Sequence, residues 1–178
     1  LEAEGQVLAF EAAAPAPPAG IDLSQSIGVV VDDESAELTG TWTRSSAVGN
    51  FVGSGYRHDG NTSTPASASF HAKLPHAGMY ELRVYFPPHA NRSTQTLVQF
   101  DALDGARSLR ISQRQLDAGR AYFLLGRFQF ARETSLRISN LAADGYVVID
   151  AIEWIPLDPG EDSPRVHERS LGRSQQPK

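Results

Sequence analysis

Apolar residues recur along this chain in short runs, and Gly, Pro, Asn and Asp separate the runs. This pattern is typical of an all-β domain, because strands are short and the turns between them favour those residues. No helical period is found after residue 14. Nine strands are predicted, over residues 27–31, 38–43, 67–72, 79–86, 96–101, 108–112, 123–130, 135–139 and 146–155.

Two of the predicted strands indicate how they are buried. In residues 79–86 the even-numbered positions are apolar, whereas Glu81 and Arg83 lie on the other face, as in a strand with one wet side. Residues 146–155 are apolar on both faces, which predicts a strand in the middle of a covered sheet. Nine strands need two sheets, so we predict a two-sheet antiparallel β-sandwich of the jelly-roll type.

The two ends of the chain differ from this pattern. Residues 1–14 could form a short acidic helix, and the Pro-rich stretch after them predicts a linker, so we interpret residues 1–26 as an arm from a preceding domain. Residues 27–157 are predicted to form the sandwich, and the polar residues 158–178 a disordered tail. The chain begins without Met and without a recognisable leader, which indicates a piece of a longer protein.

Composition and charge exclude several classes of function. The chain has 178 residues, of which 40% are apolar and 21% charged, as expected for one globular domain. It contains no apolar run long enough for a membrane-spanning helix, and no Cys for a disulfide, a thiol nucleophile or a thiolate metal site. The net charge is −5 and the Arg residues are spread among acids, so nucleic-acid binding is not predicted.

Asp150 is the most informative single residue. Alternation places it among apolar side chains, where an unpaired carboxylate would be costly, so it needs a partner. It could be a general acid of raised pKa or a metal ligand, or a structural carboxylate held by an Arg or by backbone amides. No second carboxylate stands at a fixed short spacing from it, so we favour the structural role and predict Arg92 as its partner.

Two polar segments are candidates for ligand binding. Pro87 and Pro88 open a rigid loop in which Asn91 could bind sugar hydroxyls or a carboxylate, or could anchor the loop internally. The second segment holds Tyr56 and His58. The predicted ligand-binding residues are Tyr56, His58, Tyr85 and Asn91, with Tyr85 as a stacking platform on the wetter face of its strand.

Motifs of catalysis are missing from the sequence. There is no Gly-x-Ser-x-Gly, no His-Glu-x-x-His and no phosphate-binding Gly-rich loop, so no catalytic residue is predicted. His58 and the adjacent Asp59 would point to opposite faces of a strand and could not form a dyad. Asp32, Asp33 and Glu34 could bind calcium through oxygen, although a solvated turn is the simpler interpretation; no other cofactor is predicted.

Several ordered motifs together resemble a known family. They are VVVDD (29–33), GTW (40–42), GY (55–56), LPHAGMYEL (74–82), NR (91–92), LGRFQF (125–130) and DGYVVIDAIEW (144–154). Over residues 27–157 the sequence resembles the golvesin and xanthan-lyase carbohydrate-binding-like domain. The resemblance implies a β-sandwich appended to larger bacterial extracytoplasmic proteins, including polysaccharide lyases and planctomycete-type FAD-dependent oxidoreductase-like proteins. It brings no catalytic residues.

The expected function follows from the polar loops and from this resemblance. We expect a non-catalytic accessory module, extracytoplasmic in location, that binds carbohydrate or cell-surface polysaccharide. The alternative is a structural domain that docks against the catalytic domain of its parent enzyme and binds no glycan. A glycan binder should expose aromatic faces in a groove, whereas a docking domain should expose a flat apolar patch.

Overall fold

A computed structural model describes residues 20–157, and every regular element in this range is a β-strand. The strands are β1 (Val29–Asp32), β2 (Glu37–Thr39), β3 (Thr43–Ser45), β4 (Tyr56–His58), β5 (Ser67–Lys73), β6 (Gly78–Val84), β7 (Thr96–Ala102), β8 (Gly105–Ile111), β9 (Phe123–Phe130), β10 (Glu133–Ser139), β11 (Val148–Ile149) and β12 (Ala151–Pro156). Among these residues no helix is long and apolar enough to cross a membrane.

The strands form two large sheets and one small one, and all pairs of named strands are antiparallel. The four-stranded sheet has the order β1-β12-β6-β9, and the five-stranded sheet the order β2-β5-β10-β7-β8. The three-stranded sheet has the order β11-β4-β3. The predicted all-β antiparallel sandwich is therefore confirmed, with the small sheet as an addition.

The core consists of the inward faces of both large sheets. Phe70 and Leu136 from the five-stranded sheet and Tyr80, Leu82 and Trp154 from the four-stranded sheet have no exposed surface. The apolar face predicted for residues 79–86 is thus in the core. The strand predicted to be buried on both faces supplies β12, which lies between β1 and β6 inside its sheet.

Two predicted strands are each divided in the structure. Residues 146–155 give β11, which pairs with β4 in the small sheet, and β12, which pairs with β1 and β6. The division falls at Asp150. Residues 38–43 likewise give parts of β2 and β3, because Gly40 has a φ of +78° and ends the first of these strands. Sequence periodicity did not separate β4 from its surrounding loops.

Part of the segment predicted as a linker packs on the sandwich. The Ile21 amide donates to the Phe51 carbonyl at 2.6 Å, and the Gly53 amide donates to the Ile21 carbonyl at 3.1 Å. Ile21 and Leu23 pack against the buried side chains of Val52 and Tyr85. The predicted helix in residues 1–14 and the predicted disordered tail at 158–178 lie outside the described residues.

Candidate functional site

Two loops and the end of β4 meet beside the small sheet. The loop around Asn91 and the residues before β11 are joined by a parallel bridge between Arg92 and Tyr146. The Tyr146 amide donates to the Asn91 carbonyl at 3.1 Å, and the Ser93 amide donates to the Tyr146 carbonyl at 2.8 Å. These backbone bonds hold Asn91 next to Tyr146 in a fixed geometry.

Side chains of this region form one group, which we call the loop cluster: His58, His89, Asn91 and Tyr146. The His58 and Tyr146 rings meet edge to face, with centroids 5.6 Å apart. His89 Nδ1 lies 2.8 Å from Asn91 Oδ1. His89 and Asn91 are exposed, and His58 and Tyr146 are half-buried. The structure therefore brings together two of the predicted ligand residues, His58 and Asn91.

Arg92 lies buried beneath the loop cluster and fixes it. Its guanidinium donates to the Tyr56 hydroxyl at 3.2 Å, to Asn91 Oδ1 at 3.0 Å and to the Pro87 carbonyl at 3.4 Å. The predicted pairing of Arg92 with Asp150 is wrong, because these acceptors, and not the Asp150 carboxylate, receive its donors. Arg92 donates to Asn91 Oδ1, and the Asn91 side-chain nitrogen makes no hydrogen bond within residues 20–157, so it is free to donate to a ligand.

Asp144 ties the two loops together from the solvent side. Its carboxylate accepts the Ser93 hydroxyl at 2.9 Å, the Thr94 amide at 2.6 Å and the Thr94 hydroxyl at 2.5 Å. These hydrogen bonds, from the Thr94 hydroxyl first, lower the pKa of Asp144 to about 2. The carboxylate is therefore ionised across the physiological range, and the connection between the loops persists.

His58 is neutral in this setting. Burial, followed by the positive charge of Arg92, lowers the pKa of His58 below its ordinary value, and Asp59 opposes the shift. His58 Nδ1 accepts the Gly60 amide at 3.1 Å, so the ring proton resides on Nε2. Asp59 accepts the backbone amides of Val147 and Asn61, both at 3.0 Å, so its carboxylate stabilises the backbone and does not pair with His58. The two adjacent residues form no dyad, as the alternation of side chains predicted.

Two predicted ligand aromatics are buried. Tyr56 is 2% exposed, and its hydroxyl is engaged with Arg92 and Ser45. Tyr85 is 3% exposed, and its hydroxyl donates to Glu153 Oε2 at 2.7 Å. The wet face expected for Tyr85 is wrong, because Ile21, Leu23 and Tyr122 pack over that side of the sheet. Neither ring offers an open stacking face.

The charged and polar side chains around Tyr85 pair with one another. Arg83 donates to Glu81 Oε1 at 2.7 Å and lies 3.3 Å from Glu153 Oε2. The Arg83 guanidinium also stacks over the Tyr122 ring, 4.3 Å from its centroid. Ser26, from the segment before β1, donates to the other Glu153 oxygen. This cluster attaches the N-terminal segment to the four-stranded sheet.

Asp150 is held by a backbone amide. It is 1% exposed, and its two oxygens accept the Val52 amide at 3.2 and 2.9 Å. A backbone amide at a loop crossing was one of the two structural partners left open by the sequence, and it is the one observed. Asp150 sits where the chain passes from the small sheet into the four-stranded sheet, so the carboxylate anchors that crossing.

A second feature at Asp150 is a group of three carboxylates. Asp32, Asp33 and Asp150 can each place one oxygen within 4.8 Å of the others. Arg57 Nε lies 2.8 Å from Asp33 Oδ2 but forms no aligned hydrogen bond, so the contact is one of charge. Glu34, the third predicted calcium ligand, pairs instead with Arg44. Any cation bound here would be held by Asp32, Asp33 and Asp150.

Burial and mutual repulsion perturb these carboxylates. Desolvation, followed by the charge of Asp32, raises the pKa of Asp33 to about 7, against the lowering effect of Arg57. Desolvation also raises the pKa of Asp150 to about 8, and the Val52 amide opposes the shift while Asp32 and Asp33 add to it. Near neutral pH the cluster therefore retains protons.

The sequence did not single out two members of the loop cluster. His89 lies within the proline-bracketed loop, where the sequence pattern points only to Asn91 and Arg92. Tyr146 lies in an apolar run that predicts only a buried strand. The signal available for Tyr146 was its place after Gly145, where an added Cβ would lie 2.8 Å from the Asn91 carbonyl oxygen. A glycine required by close backbone approach marks the loop contact, but one sequence does not reveal the approach.

Comparison with known proteins gives a consistent result. The profile described as the Golvesin C-terminal domain matches residues 29–155. The xanthan lyase of Bacillus sp. (strain GL1) is 30% identical over 156 residues, covering 84% of this chain and 17% of the lyase. A solved Paenibacillus xanthan lyase superposes with a TM-score of 0.68 at 28% identity, covering 74% of this chain and 13% of that one.

A more distant solved structure shares the fold alone. The Podospora anserina GH26-CBM35 β-(1,4)-mannanase superposes with a TM-score of 0.54 at 21% identity, covering 74% of this chain and 28% of the mannanase. The chain thus spans a small part of each of these relatives. With the profile matching most of the chain, and with the sandwich expected from the motifs now observed, this chain belongs to the Golvesin C-terminal domain family.

Proposed function

We propose that this domain is a non-catalytic accessory module that binds carbohydrate, and that the loop cluster is its binding site. The observation that carries the proposal is the combination of a half-exposed aromatic pair, His58 and Tyr146, with an outward amide on Asn91. Sugars present apolar ring faces and vicinal hydroxyls, which an aromatic edge and an amide donor complement.

Preorganisation supports the proposal. Arg92 and Asp144 hold the loops from opposite sides, so the cluster need not be ordered when a ligand binds. A preformed site loses less conformational entropy on binding than a mobile loop does. Asn91 Oδ1 already accepts Arg92, which leaves the side-chain nitrogen of Asn91 available to a ligand.

The relatives support the same class of function. The xanthan lyases and the mannanase are named for polysaccharides, and this chain corresponds to a fraction of each. From them we infer an extracytoplasmic parent protein that acts on a polysaccharide, with this domain as an accessory part. The docking alternative has weaker support, because the large exposed apolar side chains among residues 20–157 lie on four separate segments: Ile27, Leu38, Leu103 and Leu141.

The test is an amide NMR titration of the domain with xanthan, mannan and peptidoglycan fragments. Binding should shift the amides of His58, Asn91 and Tyr146, and Tyr146→Ala should weaken it by about tenfold. Asn91→Ala should weaken binding as well. Its control is Gln129→Ala, which removes another exposed side-chain amide, on β9, and should leave binding unchanged. If folded protein binds nothing in the panel, the carbohydrate proposal fails and docking to the parent enzyme takes its place.

A further inference from the structure

A cleft on the outer face of the five-stranded sheet lies apart from the loop cluster. It encloses about 280 Å³, with Ser67, Gln99, Arg137 and Ser139 on its floor. Arg137 stands across from Gln99 on β7, and Ser139 across from Ser67 on β5. These side chains share one face, because the residues alternating with them on each strand are buried in the core.

The walls of the cleft are fixed by Asn140. Its side-chain oxygen accepts the Ala66 amide at 2.9 Å, and its nitrogen donates to the Thr64 carbonyl at 2.9 Å and to Asp59 Oδ2 at 3.1 Å. Pro65 stands on one side, and Leu141, which is exposed, stands on the other. The cleft is therefore formed before any ligand arrives.

Backbone strain occurs in the same wall. Ala142 has a φ of +58°, a left-handed conformation that costs a non-glycine residue about 1–2 kcal/mol. Ala142 lines the cleft next to Leu141. Strain of this kind persists where the surrounding structure enforces it, and it concentrates at binding sites.

Apart from one hydrogen bond between Arg137 and Ser67, the polar side chains on the floor of the cleft make no hydrogen bond within residues 20–157. The Arg137 guanidinium donates to the Ser67 hydroxyl at 3.0 Å, and no carboxylate of residues 20–157 lies within 4 Å of it. By contrast, nearby Arg107 pairs with Asp104 at 2.5 Å. Ser139 is 7% exposed, and its hydroxyl, lining the cleft, makes no hydrogen bond within the described chain. The Ser139 hydroxyl and the remaining Arg137 donors are therefore available to a ligand.

Charge and shape indicate the ligand. No Asp or Glu lines the cleft, so the guanidinium is the charge that a ligand meets there. Arg binds carboxylates through paired N–H donors, Ser139 and Gln99 suit hydroxyls, and Leu141 and Pro65 suit an apolar ring face. We propose that this cleft binds a saccharide that carries a carboxylate, with Arg137 as the residue that recognises the charge.

An adjoining depression extends the site across the sheet. It encloses about 250 Å³, shares Gln99 and Arg137 with the cleft, and continues past Ser135 to Ala106 on β8. Asp101 and Arg107, of opposite charge, also line this depression. The two depressions together cross from β2 to β8, and neighbouring strands lie about 4.8 Å apart. A groove of this length fits an oligosaccharide rather than one sugar, with the carboxylate near its centre at Arg137.

The test compares an oligoglucuronate, a neutral glucose oligomer of equal length and acetate, by calorimetry and amide NMR. The oligoglucuronate should shift the amides of Ser67, Gln99, Arg137 and Ser139. The neutral oligomer lacks the carboxylate, and acetate lacks the sugar ring and its hydroxyls. Each should therefore bind at least tenfold more weakly than the oligoglucuronate. Arg137→Gln should weaken oligoglucuronate binding by about tenfold or more.

The control is Arg132→Gln, which makes the same change of charge at an exposed residue between β9 and β10, outside the cleft. It should bind as the unaltered protein does. Three outcomes would overturn the proposal: equal losses in both variants, shifts confined to the loop cluster, or no binding of oligoglucuronate. Shifts confined to the loop cluster would leave the function proposed for that cluster standing, so the two proposals fail separately.

Discussion

Replacing Asp150 by Asn tests whether burial of this carboxylate opposes folding at neutral pH. The pKa of Asp150 is raised from 3.8 to about 8, mainly because burial disfavours the charged form. Asn has a similar shape, its oxygen can accept the Val52 amide, and its nitrogen can donate toward Asp32 or Asp33. The variant therefore resembles the protonated side chain but does not titrate.

The sign follows from linkage between protonation and folding. Because the folded-state pKa is the higher one, the stability due to this group is fully present below about pH 4 and is lost as the pH rises toward 8. Each pH unit between these limits corresponds to about 1.4 kcal/mol. At pH 7, which is about three units above the ordinary pKa of Asp, ionisation of Asp150 should therefore have lowered the free energy of unfolding of the wild-type protein by about 4 kcal/mol. Asp150→Asn should not lose this stability, because Asn does not ionise.

The measurement is urea unfolding of both proteins at pH 5, 6 and 7 in the presence of EDTA. The free energy of unfolding of the variant minus that of the wild type should increase steadily with pH. A difference that is constant, or that decreases with pH, would refute the reasoning. Repeating the series with millimolar calcium tests the three carboxylates as a cation site, because a bound cation would stabilise the wild type selectively at pH 7.

Two further substitutions test the packing around the sheets, each with a matched control and each measured by urea unfolding. Tyr85→Phe removes the hydrogen bond to Glu153 and should lower the free energy of unfolding by about 1–2 kcal/mol. The Tyr122 hydroxyl makes no hydrogen bond within residues 20–157, so its control, Tyr122→Phe, should change this free energy by less than about 0.5 kcal/mol. Gly40→Ala places a Cβ 2.5 Å from the Pro65 carbonyl oxygen at a φ of +78°, and it should lower the free energy of unfolding by more than about 2 kcal/mol. Its control is Gly119→Ala, at a φ of +81°, where the added Cβ has nothing within 4 Å. This variant should lose only about 1 kcal/mol, because of the dihedral angle alone. Equal effects within either pair would contradict the contact assigned to it.

Local patterning was sufficient for most of the strands and for the class of fold. The alternation in residues 79–86 identified the core face of β6, and the apolar run at 146–155 identified a strand inside a sheet. The ordered motifs also identified the family, which the profile match confirms. These features depend on short-range periodicity and on residue order, both of which are present in one sequence.

Partners across the fold depended on tertiary structure. The hydrogen-bond partner of Asp150 is a backbone amide and not Arg92, because the fold brings Val52, 98 residues earlier in the chain, next to the carboxylate. The burial of Tyr85 required the packing of Ile21 and Leu23 over its sheet, and the loop cluster required the Arg92 to Tyr146 bridge. The cleft at Arg137 likewise combines residues from β5, β7 and β10. A sequence determines which residues alternate along a strand, whereas only the folded chain determines which loops and sheet neighbours cover them.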